Sequence, residues 1–270
     1  MTAENKTAFV LGATADIGLG LCERLLADGW RVAGAGREAA RVASLASHPA
    51  FRFIACDLAS PASIAAAVRD FAAAGDKWSL FVSSAGTMEP IGPFFDLDFD
   101  LWERSVTVNS TAQLRVLHGL WPHRAPRPHI MLMAGGGTNN PFTNYSAYCM
   151  SKIALIKMCE LIDDETEDAN IFIVGPGYVR TRIHDETLRA GDAAGDALGK
   201  TKDFLDRGES GTSLDEIYSH MNWCMMQGRE VAGGRNFSTV HDAWRDGGRD
   251  LAARLAGHPD YFRLRRRAAD

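Results

Sequence analysis

The sequence predicts one α/β domain, a doubly wound parallel sheet of about seven strands with helices on both faces. Three observations predict it. Short apolar runs alternate with stretches of helical periodicity from Lys6 to Val240, the pattern of strand–helix–strand units joined by right-handed crossovers. With 270 residues, 46% of them apolar, the chain can bury one large core, and no Pro/Gly/Ser-rich linker or repeat divides residues 1–270. Several apolar runs end in glycine or small polar residues, and the carboxyl ends of strands are where an open α/β sheet binds ligands.

Lys6 to Leu11 is the first strand, and Gly12-Ala13-Thr14-Ala15-Asp16-Ile17-Gly18 is the turn into a helix with apolar residues at Leu21, Cys22, Leu25 and Leu26. Glycines at 12 and 18 let the backbone approach a pyrophosphate, and the helix N-terminus offers unpaired N–H groups and a positive dipole end. The second strand, Trp30 to Ala35, runs into Gly36-Arg37-Glu38. An acidic residue at such a strand end holds the ribose hydroxyl of NAD, whereas an arginine suits the 2′-phosphate of NADP. Arg37 therefore points to NADP(H), with NAD(H) left open by Glu38.

Phe51 to Cys56 is the third strand, followed by Asp57-Leu58 and a helix capped by Ser60-Pro61. Trp78 to Val82 is the fourth, ending in Ser83-Ser84-Ala85-Gly86. A helix from about residue 98, with an Asp100/Glu103 capping pair, carries Asn109 in its middle. Asparagine is a poor helix former, so it has a polar task there or faces water. His129 to Ala134 is the fifth strand, and Gly135-Gly136-Gly137-Thr138 leads toward the next helix.

That helix carries Tyr148 and Lys152 four residues apart, on one face and pointing into the same space. Their reference pKa values are about 10 and about 10.4, and a nearby ammonium favours the phenolate. The pair thus forms an acid–base device, with Lys152 expected to lower the tyrosine. Tyr-x-x-x-Lys also occurs in ordinary helices, so the rest of the chain has to support this reading.

Asp163 to Asp168 reads as a solvated acidic turn. Ile171 to Val174 is the sixth strand, ending in Gly175-Pro176-Gly177-Tyr178-Val179-Arg180-Thr181. Residues 182–212 are polar and follow a strand's carboxyl end, the expected place of a substrate lid. A helix over Ser213 to Gln227, a last strand over Gly234 to Val240 and a basic tail over about residues 256–270 complete the chain. The tail's Arg263, Arg265, Arg266 and Arg267 read first as a solvated end and second as a salt bridge to a partner subunit.

The net charge of −5 argues against nucleic acid or an anionic membrane as partner. The chain shows neither a charged-then-apolar signal segment nor an apolar stretch near about 20 residues, so a soluble cytoplasmic protein is expected. Five scattered cysteines suggest reduced thiols, with neither a disulfide framework nor a metal site.

Taken together, these stations resemble the short-chain dehydrogenase/reductase family from about Thr7 to Val240. Gly12 to Gly18 is similar to the family's cofactor turn, with Leu11 for its threonine and Asp16 for its middle glycine. Ser83-Ser84-Ala85-Gly86 resembles Asn-Asn-Ala-Gly with both asparagines replaced. Asn109, Tyr148 and Lys152 match the catalytic set, Asp57-Leu58 the adenine contact, and Pro176-Gly177-x-Val179-x-Thr181 the nicotinamide-side loop.

The resemblance implies a Rossmann fold and an oxidoreductase interconverting a carbonyl and a secondary alcohol. It implies contacts to NADP(H) from Gly12, Thr14, Asp16, Ile17, Gly18, Arg37, Asp57, Leu58, Ser84, Ala85, Gly86, Tyr148, Lys152, Pro176, Gly177, Val179 and Thr181. Tyr148 would be the acid or base, Lys152 would lower its pKa and hold the nicotinamide ribose, and Asn109 would anchor a water. A small polar, sugar-like substrate is expected. A homodimer or homotetramer is also implied, through the helices carrying Asn109 and Tyr148; Leu114, Leu117, Ile153 and Ile156 could line that face, with core packing an equally simple account of each.

One departure stands out. The family's serine at the end of the fifth strand, a donor to the substrate oxygen, falls at Ala134-Gly135-Gly136-Gly137, and the nearest hydroxyl is Thr138. Two other readings stay open: a cofactor-binding protein with little turnover, serving as sensor or structural subunit, and a nucleotide-sugar epimerase or dehydratase.

Overall fold

In the computed structural model, which describes residues 6–208 and 211–266, seven parallel strands form one sheet in the order β3-β2-β1-β4-β5-β6-β7. The strands are β1 (Thr7–Leu11), β2 (Arg31–Gly36), β3 (Phe51–Ala55), β4 (Trp78–Ser83), β5 (Arg124–Met133), β6 (Asn170–Gly175) and β7 (Asn236–Ser238). The inner strands β1, β4 and β6 are buried along nearly their whole length, as a sheet covered on both faces requires. The strand order reverses between β1 and β4, and the carboxyl ends on either side of that point open the crevice where the site lies.

One face is covered by α1 (Asp16–Ala27) and α8 (Leu214–Ala232), which pack Leu21, Leu25, Ile217 and Met221 against Val10, Val82 and Phe172. The other is covered by α2 (Pro61–Ala73), α4 (Ala112–Leu120) and α5 (Ser146–Glu165), whose Phe71, Val116 and Leu155 meet Phe9, Phe81 and Ile130. Leu117 and Ile156 belong to this second core, buried to 5% and 3% exposure, so two of the four residues assigned to a subunit face pack inside the chain. Ile153 stays on the surface.

The boundaries differ from the sequence reading where sheet pairing decides them. β5 begins at Arg124 because Arg124 pairs with Trp78 ahead of a register shift. β7 keeps only three residues, since pairing with Ile173 to Gly175 defines it. α3 (Phe99–Val106) is capped by Asp98, whose side chain accepts from the Leu101 amide at 3.0 Å, so the Asp100/Glu103 pair is not the cap. A cap of this kind contributes about 1 kcal/mol.

Asp164, Glu165, Glu167 and Asp168 of the acidic run are exposed as expected, but Asp163 is not, and the basic tail is paired with its own chain. Asp163 is buried in the last turn of α5, 3.0 Å from Arg229 and 3.3 Å from Arg263. Arg265 bonds Glu160 at 2.6 Å and Asp260 at 2.7 Å. The tail thus folds back on α5 of its own chain; Arg267 lies outside the described residues. Among the described residues no helix is long and apolar enough to cross a membrane.

Candidate active site

The first turn of α1 is built to receive an anion. Its N-cap residue, Ala15, has no side-chain cap, so the opening N–H groups of Ile17 and Gly18 have neither an intrahelical nor a capping partner among the described residues. Gly12 takes φ +87°, and a Cβ there would fall 2.5 Å from the Ala85 nitrogen. Only glycine allows the β1 turn to run so close to the chain leaving β4. Ser84, in place of an asparagine, donates to the Leu11 carbonyl at 3.1 Å and ties the two strand ends together.

Asp16 sits beside this anion seat, where its charge would repel a phosphate. Two guanidinium groups offset it: Arg41 at 3.0 Å and Arg182 at 2.9 Å. The Arg182 amide also donates to Asp16 at 2.7 Å, and its side chain reaches the Thr14 carbonyl at 3.2 Å. Asp16 therefore fastens the chain at Arg182 to the glycine turn. Arg37 lines the same cleft, exposed and without an ion pair among the described residues. Asp57 and Leu58 line the wall opposite, Asp57 held by the Ala59 amide at 3.0 Å.

Asn109 lies in a π-helical turn, Thr107–Thr111, between α3 and α4, an irregularity often found at functional positions. Its Oδ1 accepts from the Thr87 amide at 2.9 Å and its Nδ2 donates to the Thr87 carbonyl at 2.8 Å. Gln113, which the sequence reading passed over, bridges Ser83 at 2.7 Å and the Ala85 carbonyl at 3.0 Å. It holds the strand end that carries Ala85 and Gly86.

Tyr148 and Lys152 share one face of α5, with Nζ 5.6 Å from the ring centroid. Lys152 is buried and donates to the Met133 carbonyl at 3.0 Å. Burial lowers the lysine to about 8 and raises the Tyr148 phenol above its ordinary value. The sequence expectation that Lys152 pulls the tyrosine down does not hold in this geometry, where burial, with Cys149 and Glu186 adding to it, raises the phenol.

The tyrosine hydroxyl has no hydrogen-bond partner among the described residues. It lies against Gly135, where a Cβ would fall 2.0 Å from Oη. The place of the family's serine is thus occupied by Tyr148 itself. Thr138 is half-buried on the cleft wall and its hydroxyl makes no bond among the described residues.

The segment read as a lid is folded: α6 (Ile183–Ala190), a short turn over Gly191–Ala194, and α7 (Asp196–Asp206), with residues 209 and 210 outside the described part. Polar bonds dock it. Besides the Arg182–Asp16 contact, Tyr145 meets Thr187 at 2.9 Å and Asn144 reaches the Ala193 carbonyl at 2.9 Å. Glu186 accepts from the Thr87 hydroxyl at 3.0 Å and from the Met88 amide. Pro176, Gly177, Val179 and Thr181 lead into it along the cleft, with Val179 in a bridge to Gly211. The cleft has a volume of about 1690 Å³ and runs from Arg37 past Gly12 and Tyr148 to α6.

The sequence matches the family described as short chain dehydrogenase over residues 6–191. It is 23% identical over 231 residues to serine 3-dehydrogenase of Rhizobium radiobacter, covering 83% of this chain and 90% of that protein. It is 26% identical over 206 residues to D-threitol dehydrogenase of Mycolicibacterium smegmatis, covering 73% and 78%. The fold superposes on a short chain dehydrogenase/reductase from Saccharomyces cerevisiae with a TM-score of 0.77 at 17% identity, over 90% of this chain and 99% of that one. The chain belongs to the short-chain dehydrogenase family and is an oxidoreductase acting on CH–OH groups.

Proposed function

We propose that this chain is an NADP(H)-preferring reductase of a small polar carbonyl compound, with Tyr148 as the proton donor. The observation that carries the reading is the Tyr148 hydroxyl, without a hydrogen-bond partner among the described residues and facing Gly135, with Lys152 on the same helix face. The uncapped first turn of α1 and the close-passing Gly12 fit a dinucleotide pyrophosphate. Arg37 would hold the 2′-phosphate and Lys152 the nicotinamide ribose. The nicotinamide, when bound, supplies the hydride.

The chain supplies position and a proton. Tyr148 gives its proton to the carbonyl oxygen as charge develops there, and takes it back when the alcohol is oxidised. Asn109 fixes the Thr87 backbone and so the wall beside Lys152: its Oδ1 and the lysine Nζ lie 3.3 and 3.8 Å from the point where a Cβ on Gly86 would stand. Two relatives carry the names of serine and threitol, both small and polar, in keeping with a cleft whose lid is held by polar groups.

Arg37→Ala is expected to weaken NADPH binding about ten- to a hundredfold, the worth of a charge-assisted contact, with NADH nearly unaffected. Calorimetry with both cofactors checks this. NADH binding more tightly than NADPH to the parent protein, or an unchanged gap in the variant, contradicts it.

The raised phenol sets the pH dependence. Reduction needs Tyr148 protonated, which burial ensures through the neutral range, so kcat/KM for reduction is expected to stay flat from about pH 6 to 8. Oxidation needs the phenolate, whose fraction grows about tenfold per pH unit below the pKa, and should rise over that range. Rates in both directions across the range test this; a reduction rate that falls steeply by pH 8 contradicts it.

A further inference from the structure

Glu186 is a half-buried carboxylate in the wall of the reaction cleft, and the proton transfer above gives it no part. Its Oε2 is fully engaged, accepting from the Thr87 hydroxyl at 3.0 Å, the Glu89 amide at 3.2 Å and the Met88 amide. Its Oε1 has no hydrogen bond among the described residues. No cation pairs with it there, since Arg189, on the same helix, bonds Glu89 at 3.0 Å instead.

Burial raises its pKa. Met88, whose amide it accepts from, packs in one apolar cluster with Tyr145 and Tyr148, which sets the carboxylate on the wall near the reacting group. Its position is also tied to the site. Thr87 holds Asn109 through its own backbone and Glu186 through its hydroxyl, so one residue sets both. Glu186 lines the cleft, and Oε1 can accept a charge-assisted hydrogen bond from a ligand that brings a donor.

We propose that Glu186 determines substrate specificity. Its Oε1 accepts a hydrogen bond from an ammonium or hydroxyl group on the carbon next to the reacting one. The preferred substrates are then β-amino alcohols and vicinal diols, with their carbonyl counterparts. This rests on the oxidoreductase reading above, but it is tested apart from turnover.

The NADP-loaded protein is titrated by calorimetry with three alcohols of equal heavy-atom count: 1-amino-2-propanol, 1,2-propanediol and 2-butanol. The parent protein is expected to bind the first two about ten- to a hundredfold more tightly than 2-butanol, the range of a hydrogen bond to a charged group. In Glu186→Gln the amide oxygen can stay on the Thr87–Glu89 donors and the NH2 group then faces the cleft. The gap should close, most for the amine, while 2-butanol shifts by less than about threefold.

A parent protein without the gap overturns the proposal, and that arm needs no variant. So does a variant that weakens all three alcohols alike, the result expected if Glu186 only pins the 87–89 loop. Turnover of the same alcohols is read separately. A binding gap without any formation of reduced nicotinamide refutes the oxidoreductase reading alone, and turnover without a gap refutes the Glu186 assignment alone.

Discussion

Tyr148→Phe is expected to lower kcat by about 10²–10⁴-fold, the usual worth of one positioned acid–base group, while NADPH affinity changes little. The phenyl ring keeps the packing of Tyr148 against the small apolar cluster that includes Met88, Tyr145, Ala194 and Ala197, so the fold should survive. The magnitude follows from isolation. Asn109 is spent on Thr87 and Lys152 donates to the Met133 carbonyl, which leaves the tyrosine hydroxyl as the group placed for proton transfer. Steady-state kinetics together with cofactor calorimetry check it. A variant that retains its NADPH-dependent turnover removes Tyr148 from the reaction.

Gly135→Ser is expected to abolish activity where the family pattern suggests a gain. Reinstating the serine would supply a donor for the substrate oxygen, and such a donor is worth about 10²–10³ in rate. Here its Cβ would stand 2.0 Å from the Tyr148 hydroxyl, so the tyrosine must move. Displacing a reacting group by about 1 Å costs on the order of 10²-fold, and the new hydroxyl would occupy the tyrosine's own place.

The steric effect therefore wins, and Gly135→Ala should lose as much as Gly135→Ser. Thr138→Ala should be nearly silent, since its hydroxyl is bonded to nothing in the described residues. Comparing kcat for these three variants tests the point; a serine variant faster than the parent contradicts it.

The elements that the sequence revealed are those whose signal is local. Apolar runs located the first six strands of the sheet, and the four-residue spacing of Tyr148 and Lys152 put both on one face of α5. What stayed hidden depends on partners far along the chain. α6 buries little apart from His184 and Thr187, so it has no apolar stripe to read. It is held by bonds to residues some 40 to 170 positions away, such as Tyr145–Thr187 and Arg182–Asp16.

Arg263 and Asp163, 100 residues apart, each read as solvated because neither local window shows the other. The same holds for the electrostatics of the site. The lysine spacing suggested a lowered phenol, whereas burial, a property of the folded whole, raises it. Glu186 escaped notice in a polar stretch for the same reason.

The central claim, that this cleft reduces carbonyl compounds with NADPH, is tested most directly by following the absorbance of reduced nicotinamide. The purified protein is given NADPH or NADH and a panel of small polar aldehydes and ketones, including α-amino and α-hydroxy ketones. The account predicts loss of absorbance that depends on the carbonyl compound and is faster with NADPH than with NADH at subsaturating cofactor. Tight NADPH binding by calorimetry, with no carbonyl compound in the panel and no alcohol in the reverse direction causing any change, would contradict it and leave a cofactor-binding protein without turnover.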